Sequence, residues 1–268
     1  MRALIKVGFS LLVLACVLVA LSYSMLRANG TTATSQSRQV AREVRAVPDG
    51  VDAVALEGPI DLTLRYGATP GLHVSGEQRL LGNVEVTREG PLLHIGIRGM
   101  VLRHRQPLEV ELVLPALSAV TLSGSGDSTV NGFSGEQIAV QLNGSGSLRF
   151  NGRFRQVEVG LSGNGDVDLN AGAAVERMEA RLMGSGSMTV VGNARELDAQ
   201  SSGSGRFDAE HLRAETVALA QTGSGDSVVQ ARGKSAIAIS GSGDVEVHGN
   251  PAERTTSRTG TGSVSYVE

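Results

Sequence analysis

The stretch "LSGSGDSTVNG" at residues 122–132 contains the glycine motif that decides the fold. The same motif returns in "LNGSGSLRFNG" at residues 142–152 and in "LSGNGDVDLNAG" at residues 161–172. Eight Gly-x-Gly pairs occur in all, separated by steps of 20, 19, 21, 19, 20, 18 and 19 residues. A near-constant spacing of this size is typical of a solenoid, in which one strand-and-turn unit is repeated. The pairs are Gly124 and Gly126, Gly144 and Gly146, Gly163 and Gly165, Gly184 and Gly186, Gly203 and Gly205, Gly223 and Gly225, Gly241 and Gly243, and Gly260 and Gly262.

The residues around each pair alternate between apolar and polar, which is the pattern of a strand with one buried face. After the pair at residues 144–146, for example, Leu148 and Phe150 alternate with Ser147 and Arg149. The residues before the pairs alternate in the same way, as in "IAVQL" at residues 138–142. Each repeat is therefore predicted to contain a strand, a glycine corner, a second strand and a second corner. The glycines that mark the second corner are Gly132, Gly152, Gly192 and Gly249.

The predicted fold is an all-β, single-stranded parallel β-helix, or β-solenoid, with about 20 residues per coil. Stacked coils lie about 4.8 Å apart, so like positions form ladders along the core. We expect a right-handed coil from the rule for parallel crossovers. The corner glycines supply positive φ or close backbone approach, and the hydroxyls between them are expected to hydrogen-bond from coil to coil. In the last coil, "RTTSR" at residues 254–258 replaces apolar residues and is interpreted as a cap.

The N-terminus predicts a membrane or signal helix. Arg2 and Lys6 precede an uncharged run at residues 7–26, which is long enough to cross a bilayer as a helix. Residues 1–28 are therefore predicted to be a signal peptide or a signal-anchor transmembrane segment, with the remainder facing outward. The polar residues 29–43 predict a linker. Because the only cysteine, Cys16, lies in the apolar run, no disulfide is predicted in the domain that follows.

Residues 44–117 are strand-like but irregular and are predicted to be the first part of the same domain, before the eight repeats at residues 118–268. Within them, "DAVALEGPIDLTLRYG" at residues 52–67 resembles a degenerate repeat. The segment "GNVEVTREGPLLHIGIRG" at residues 82–99 predicts a hairpin that turns at Glu89, Gly90 and Pro91.

The order of these segments resembles a known family. Its most specific part is "LPALSAVTLSGSGD" at residues 114–127, followed by the repeated glycine corners. The chain is similar, over residues 44–268, to the auto-transporter adhesin head GIN domain of bacterial envelope proteins. The resemblance implies an exported β-solenoid without a known catalytic site, and it favours interaction at a surface.

The outward positions after the glycine pairs carry the candidate site residues. Arg149 and Arg206 are expected to neutralise part of this face by pairing with Asp168 and Asp226. A calcium site is disfavoured because alternate coils lack a carboxylate and Ca²⁺ takes six to eight oxygen ligands. The acids therefore predict either a solvated face or an acidic recognition row, with no metal and no cofactor. The candidate residues are Asp127, Asp166, Asp168, Asp208, Asp226, Asp244 and Glu246.

Composition limits the class of function. Without the three basic residues of the first 28 positions, 21 basic and 27 acidic residues remain, a net charge of −6, so no nucleic-acid partner is predicted. The histidines are scattered and aromatic residues make up only 3%, which disfavours an enzyme. The preferred hypothesis is a non-enzymatic interaction scaffold of the cell envelope that binds a glycan or a surface protein. The alternatives are a periplasmic sensor or regulatory module and a polysaccharide-active β-helix enzyme. The expected location is the inner membrane facing the periplasm, or the surface or exterior after signal cleavage.

Overall fold

The computed structural model describes residues 40–99 and 107–267, with eighteen strands and one single-turn helix. The predicted membrane segment at residues 7–26 and most of the predicted linker lie outside the described residues. The one helix of the described part has four residues, and no helix there is long and apolar enough to cross a membrane. The elements of the first part are β1 (Val40–Arg45), β2 (Ala53–Glu57), β3 (Ile60–Tyr66), β4 (Gly71–Glu77), α1 (Gln78–Leu81), β5 (Val84–Glu89), β6 (Leu92–Ile97) and β7 (Leu108–Leu114). Those of the repeats are β8 (Ala119–Gly124), β9 (Asp127–Gly144), β10 (Ser147–Gly163), β11 (Asp166–Asn170), β12 (Val175–Gly184), β13 (Ser187–Gly203), β14 (Arg206–Gly223), β15 (Asp226–Gly241), β16 (Val245–His248), β17 (Glu253–Gly260) and β18 (Val264–Val267).

Consecutive repeats stack as parallel strands in the register that the glycine spacing predicts. Val120 lies opposite Val140, for example, and Gly124 lies opposite Gly144. The first glycines of all eight pairs are aligned in this way, up to Gly260. The result is an all-β solenoid of about seven turns, which confirms the predicted fold class. The handedness of the coil stays a prediction.

The second corner is a bend within a strand more often than a break between two strands. β9, β10, β13, β14 and β15 each run without interruption from one glycine pair to the next. The pairing of β10 with β9 shifts register between Asn151 and Gly152, at the position of the second corner. A register shift of this kind bends a strand because one extra residue must be accommodated on one side. β11 and β12 are two separate strands, joined through residues 171–174.

The core consists of inward-facing ladders, as the alternation predicts. In β10, Leu148, Phe150, Val157, Val159 and Leu161 are buried, whereas the residues between them in each half of the strand are mostly exposed. Burial of such side chains contributes about 1.5–3 kcal/mol each. The ladders also contain polar residues that the apolar pattern did not predict. These are Ser128, Ser201, Gln221, Ser227 and Ser235.

The corner glycines are required because neighbouring coils touch there through their backbones. Gly144 has a φ of 133°, and a Cβ atom on it would lie 2.2 Å from the carbonyl oxygen of Gly124. A Cβ on Gly146 would lie 2.2 Å from the carbonyl oxygen of Gly126. The backbone N–H groups of Ser145 and Gly146 both donate to the Gly124 carbonyl, at 3.0 and 3.3 Å. The first glycine of each pair therefore needs a left-handed backbone, and both glycines need the absence of a side chain.

The hydroxyls between the glycines make fewer contacts than predicted. Ser185 and Ser204 lie 3.0 Å apart through their Oγ atoms, and no other such pair is found in the described part of the chain. Stacking at the corner is instead carried by the backbone hydrogen bonds.

The first part of the domain is threaded out of sequence order. β2 pairs in parallel with β6 on one side and β8 on the other, and β3 pairs in parallel with β7 and β9. The segment that resembles a degenerate repeat thus lies between two coils that follow it in the chain. β4 and β1 add antiparallel strands beyond β7, and β5 forms the predicted antiparallel hairpin with β6. These strands cover the edges of β6 and β7.

The other end of the solenoid is closed by polar side chains, in agreement with its interpretation as a cap. Every residue of β17 is exposed, and the guanidinium of Arg254 lies 4.6 Å from the centre of the Tyr266 ring. The Tyr266 hydroxyl lies 3.2 Å from Thr256 Oγ1 and 3.3 Å from Ser235 Oγ. Inward charged residues at an edge strand oppose the addition of another strand.

Candidate functional site

The seven predicted acidic residues lie on one outward face, in two adjacent rows. The register aligns Asp127, Asp166, Asp226 and Asp244 in the first row. The second row contains Asp168, Asp208 and Glu246. Serine, arginine, threonine and valine fill the positions between them, so neither row is a continuous line of carboxylates.

Carboxylates of the first row hydrogen-bond to the next coil. Asp127 accepts a bond of 2.7 Å from Ser147 Oγ, and Asp244 accepts bonds of 2.7 and 2.9 Å from Ser263 Oγ and N–H. Asp61, which sequence reasoning missed, accepts a bond of 2.8 Å from the N–H of Asp127. The sequence does carry a signal for Asp61. The segment "EGPID" at residues 57–61 stands where the repeats have a glycine pair followed by an aspartate. These contacts support a structural role for the row, as clamps between coils.

Arginines neutralise part of the second row. Arg149 Nε lies 3.7 Å from Asp168, as expected. Arg206 lies 3.9 Å from Asp208 of its own strand, so its ion pair is not the expected one with Asp226. Residues two apart on a strand point to the same face, which explains this pairing.

In the described ranges no three acidic, histidine or cysteine side chains come together as a metal site would require.

The clamp at Asp244 predicts a pH dependence of the last coil. Hydrogen bonds from the hydroxyl and N–H of Ser263 lower the pKa of Asp244. A carboxylate whose pKa is lowered in the folded state stabilises the fold above its unfolded pKa, and that contribution is lost as the pH falls through the folded pKa. We therefore expect the Ser263 amide to lose protection against hydrogen exchange when the pH drops below about 4.

The variant Asp244→Asn should remove this pH dependence of the Ser263 amide, since it has no carboxylate to titrate. Asp166→Asn is the matched control, because no side-chain hydrogen bond to Asp166 is found among the described residues. An unchanged protection profile in Asp244→Asn would show that the clamp is not responsible.

A ladder of charges runs along the strands just beyond the second corner. Arg155 lies 2.5 Å from Glu176 and 3.6 Å from Glu136, which belong to the coils on either side. These two carboxylates raise the pKa of Arg155, and a hydrogen bond to Glu158 raises the pKa of Arg181. Exposed ion pairs contribute little to stability, because water and salt screen them. Because its charges are already paired, this ladder is a poor candidate for binding a ligand.

Two adjoining depressions along the second corner form one groove, which we name the corner groove. Their volumes are about 550 and 450 Å³, and both are lined by Gly192 and Asn193. The other residues used below are Arg153, Phe154, Asn170, Ala173 and Ala174 in the first depression, and Glu210, His211, Arg213, Gln230 and His248 in the second.

The solenoid places these side chains on successive coils. Arg213 lies opposite Asn193 on one side and Gln230 on the other, and Gln230 lies opposite His248. Arg153 lies two coils before Asn193, across the coil that contains Gly172. From Arg153 to His248 there are five steps between coils, a distance of about 24 Å at the usual strand separation.

The connection between β11 and β12 supplies the apolar part of the groove. Gly172, with a φ of 75°, turns the chain there, and Ala173 and Ala174 are exposed beside it. Phe154 and Ala171 are buried beneath them. The groove therefore combines exposed methyl groups with amide, imidazole and guanidinium groups, which can pack against a ligand and donate hydrogen bonds to it.

Sequence reasoning missed the corner groove, although one signal was present. The step from Gly163 to Gly184 is the longest, at 21 residues, and the extra length falls in "NAGAA" at residues 170–174. The other lining residues carry no motif of their own. They come together only because the coils stack.

Known proteins share this architecture. A family model described as "Putative auto-transporter adhesin, head GIN domain" matches residues 51–251. A "putative adhesin" from Parabacteroides distasonis has a TM-score of 0.78 and 22% identity, over 85% of this chain and 97% of that chain. A "putative lipid binding protein" from the same species has a TM-score of 0.77 and 19% identity, over 86% and 97%. A "putative adhesin" from Parabacteroides merdae has a TM-score of 0.76 and 20% identity, also over 86% and 97%. No curated protein matches the chain at a significant level.

Proposed function

The chain belongs to the auto-transporter adhesin head GIN domain family, and on this basis we propose that it is a non-enzymatic interaction scaffold of the bacterial cell envelope that binds a glycan in the corner groove. The adhesin-like character of the family supports a place in the envelope or at the cell surface. The observation that carries the proposal is the groove itself, which presents polar side chains at intervals of one coil along about 24 Å.

The composition of the groove suits a glycan. A sugar offers hydroxyl groups at its edges and C–H groups on the faces of its ring. Asn170, Asn193 and Gln230 carry amides that both donate and accept hydrogen bonds, which matches hydroxyls. Ala173 and Ala174 offer methyl groups against which a ring face can pack.

The scaffold supports binding because it is preorganised. Asn193, Arg213 and Gln230 stand on strands that pair with the neighbouring coils, whereas Glu210 and His211 lie where the pairing shifts register. Little conformational freedom is then lost when a ligand binds, and a larger part of the contact energy appears as affinity.

A lipid would fit the interior poorly. One structural neighbour is described as a lipid-binding protein, but the inward ladders of this chain, for example Leu148, Phe150 and Val159, are closely packed and buried. A site for an acyl chain would need an open apolar cavity. We therefore favour a polar ligand on the surface.

A glycan array with the full-length protein tests the proposal. Ala174→Trp places a large ring in the groove at an exposed position outside any strand, and we expect it to weaken glycan binding about tenfold or more. Ala218→Trp, at an exposed position of β14 away from the groove, is the matched control and should bind as the wild type does.

Bound glycans should be recovered intact, since an enzyme would release shorter products. Absence of binding to every glycan on the array would favour the sensor alternative and defeat the proposal. Equal binding by both tryptophan variants would place the site elsewhere.

A further inference from the structure

We infer that the ligand of the corner groove is an acidic polysaccharide, a linear glycan that carries carboxylate or sulfate groups at intervals. The inference rests on the proposed function and adds the chemical class of the ligand. The reason is the charge of the groove, which differs from that of the molecule as a whole.

Two arginines of the groove have no acidic partner. Arg153 and Arg213 form no ion pair with any residue that the structure describes, whereas Arg149, Arg155 and Arg181 all do. A guanidinium binds carboxylates and sulfates strongly because it can donate two parallel hydrogen bonds. An unpaired arginine in a groove is therefore available to an anion.

The charges around these arginines support the same ligand. His211 and His248 line the second depression and offer ring N–H groups as hydrogen-bond donors. The acids there are Glu210, in the wall, and Glu246, which lies 2.9 Å from His248 Nε2. Three arginines line the two depressions, Arg153, Arg155 and Arg213, and Glu210 is the one acid of that lining. Arg155 is already paired with Glu136 and Glu176, which leaves Arg153 and Arg213 for an anion.

The spacing of the cations indicates a polymer. Arg153 and Arg213 lie three coils apart, or about 14 Å at the usual separation. A single carboxylate or sulfate cannot bridge such a distance. A chain with a repeated anionic group can place one charge at each site, with Asn170 and Asn193 between them on its hydroxyls.

Other anionic polymers fit the groove less well. Binding of single-stranded nucleic acid depends on stacking of bases on aromatic side chains, and the ring of Phe154 in the groove is buried. An extended peptide binds by adding a strand to a free edge, but strands β10 to β15 have partners on both sides.

Binding of polygalacturonate and hyaluronate to the full-length protein tests the inference. Each polymer is compared with the neutral polymer obtained by reducing its carboxylates to hydroxymethyl groups. We expect each acidic polymer to bind about tenfold more tightly than its neutral counterpart, with an affinity that falls as salt is added. Arg153→Gln and Arg213→Gln should each weaken the acidic polymer about tenfold, because each removes one charged hydrogen-bonding site.

Arg149→Gln is the matched control, since Arg149 lies on the neighbouring outward face and already pairs with Asp168. It should change the affinity less than about twofold.

Equal affinity for the acidic and neutral polymers would overturn the inference and leave the proposed function standing. Failure of all four polymers, and of every glycan on the array, would overturn both. Equally tight binding of a single-stranded DNA of the same length would show a general anion site and overturn the assignment to a polysaccharide.

Discussion

Replacement of Gly144 by valine is expected to lower the free energy of unfolding by about 2–6 kcal/mol. Its φ of 133° strains any residue with a side chain, which costs about 1–3 kcal/mol. The added Cβ would also lie 2.2 Å from the carbonyl oxygen of Gly124, and this oxygen cannot retreat because it accepts two hydrogen bonds from the coil of Gly144. Overpacking against a fixed backbone adds about 1–3 kcal/mol more. Urea unfolding, followed by circular dichroism, measures the change.

Gly184→Val should behave in the same way, because its φ is 126° and its Cβ would lie 2.2 Å from the oxygen of Gly163. Gly71→Val is the matched control. Gly71 belongs to strand β4, and nothing lies within 4 Å of its added Cβ, so valine should change stability by less than about 1 kcal/mol. A loss at Gly144 no larger than that at Gly71 would contradict the account of the corner.

Truncation of Phe207 to alanine is the second change with a large expected effect, a loss of about 3–5 kcal/mol. Phe207 is 1% exposed and is the inward residue of β14 that lies between Met188 and Ser227 of the adjacent coils. The space it leaves cannot close, because hydrogen bonds between coils hold the strands at a fixed separation. Ser227 is too small to fill it. The measurement is again the free energy of unfolding in urea.

Two variants make this prediction specific. Phe207→Leu retains most of the buried volume and should recover more than half of the loss. Met183→Ala removes a large side chain that is 54% exposed, and it should change stability by less than about 0.5 kcal/mol. A loss in Phe207→Ala as small as that in Met183→Ala would mean that the core relaxes freely.

The regular coils could be predicted from the sequence because their contacts are local. Eight glycine pairs and a period-two alternation place Val120 opposite Val140 without any further information. The hairpin of β5 and β6 was equally accessible, since its turn residues lie between its two strands. The position of β2 between β6 and β8 was not, because it joins segments far apart in the chain and no repeat links them.

The candidate site, too, has one part that the sequence predicts and one part that only the stacked coils create. The alternation placed Asp127 and Asp244 on the outward face, but their role depends on a serine of the next coil, at Ser147 and Ser263. The corner groove depends on register shifts at the second corner and on the connection through residues 171–174. The longer step from Gly163 to Gly184 marks the connection, but the register shifts leave no signal in the sequence. The contribution of a side chain such as Arg213 depends on the coils that stack beside it.

The out-of-order threading has a consequence for how the chain acquires its structure. Ala53 pairs with Ala119, so closing this contact joins residues 66 apart, while later coils join residues about 20 apart. The longer loop costs about 1 kcal/mol more in chain entropy. A nascent chain emerging from its N-terminus therefore cannot complete its first coils before residue 119 has appeared. We therefore expect folding to nucleate in the repeats, which need only their neighbours, and the N-terminal coils to fold onto them afterwards.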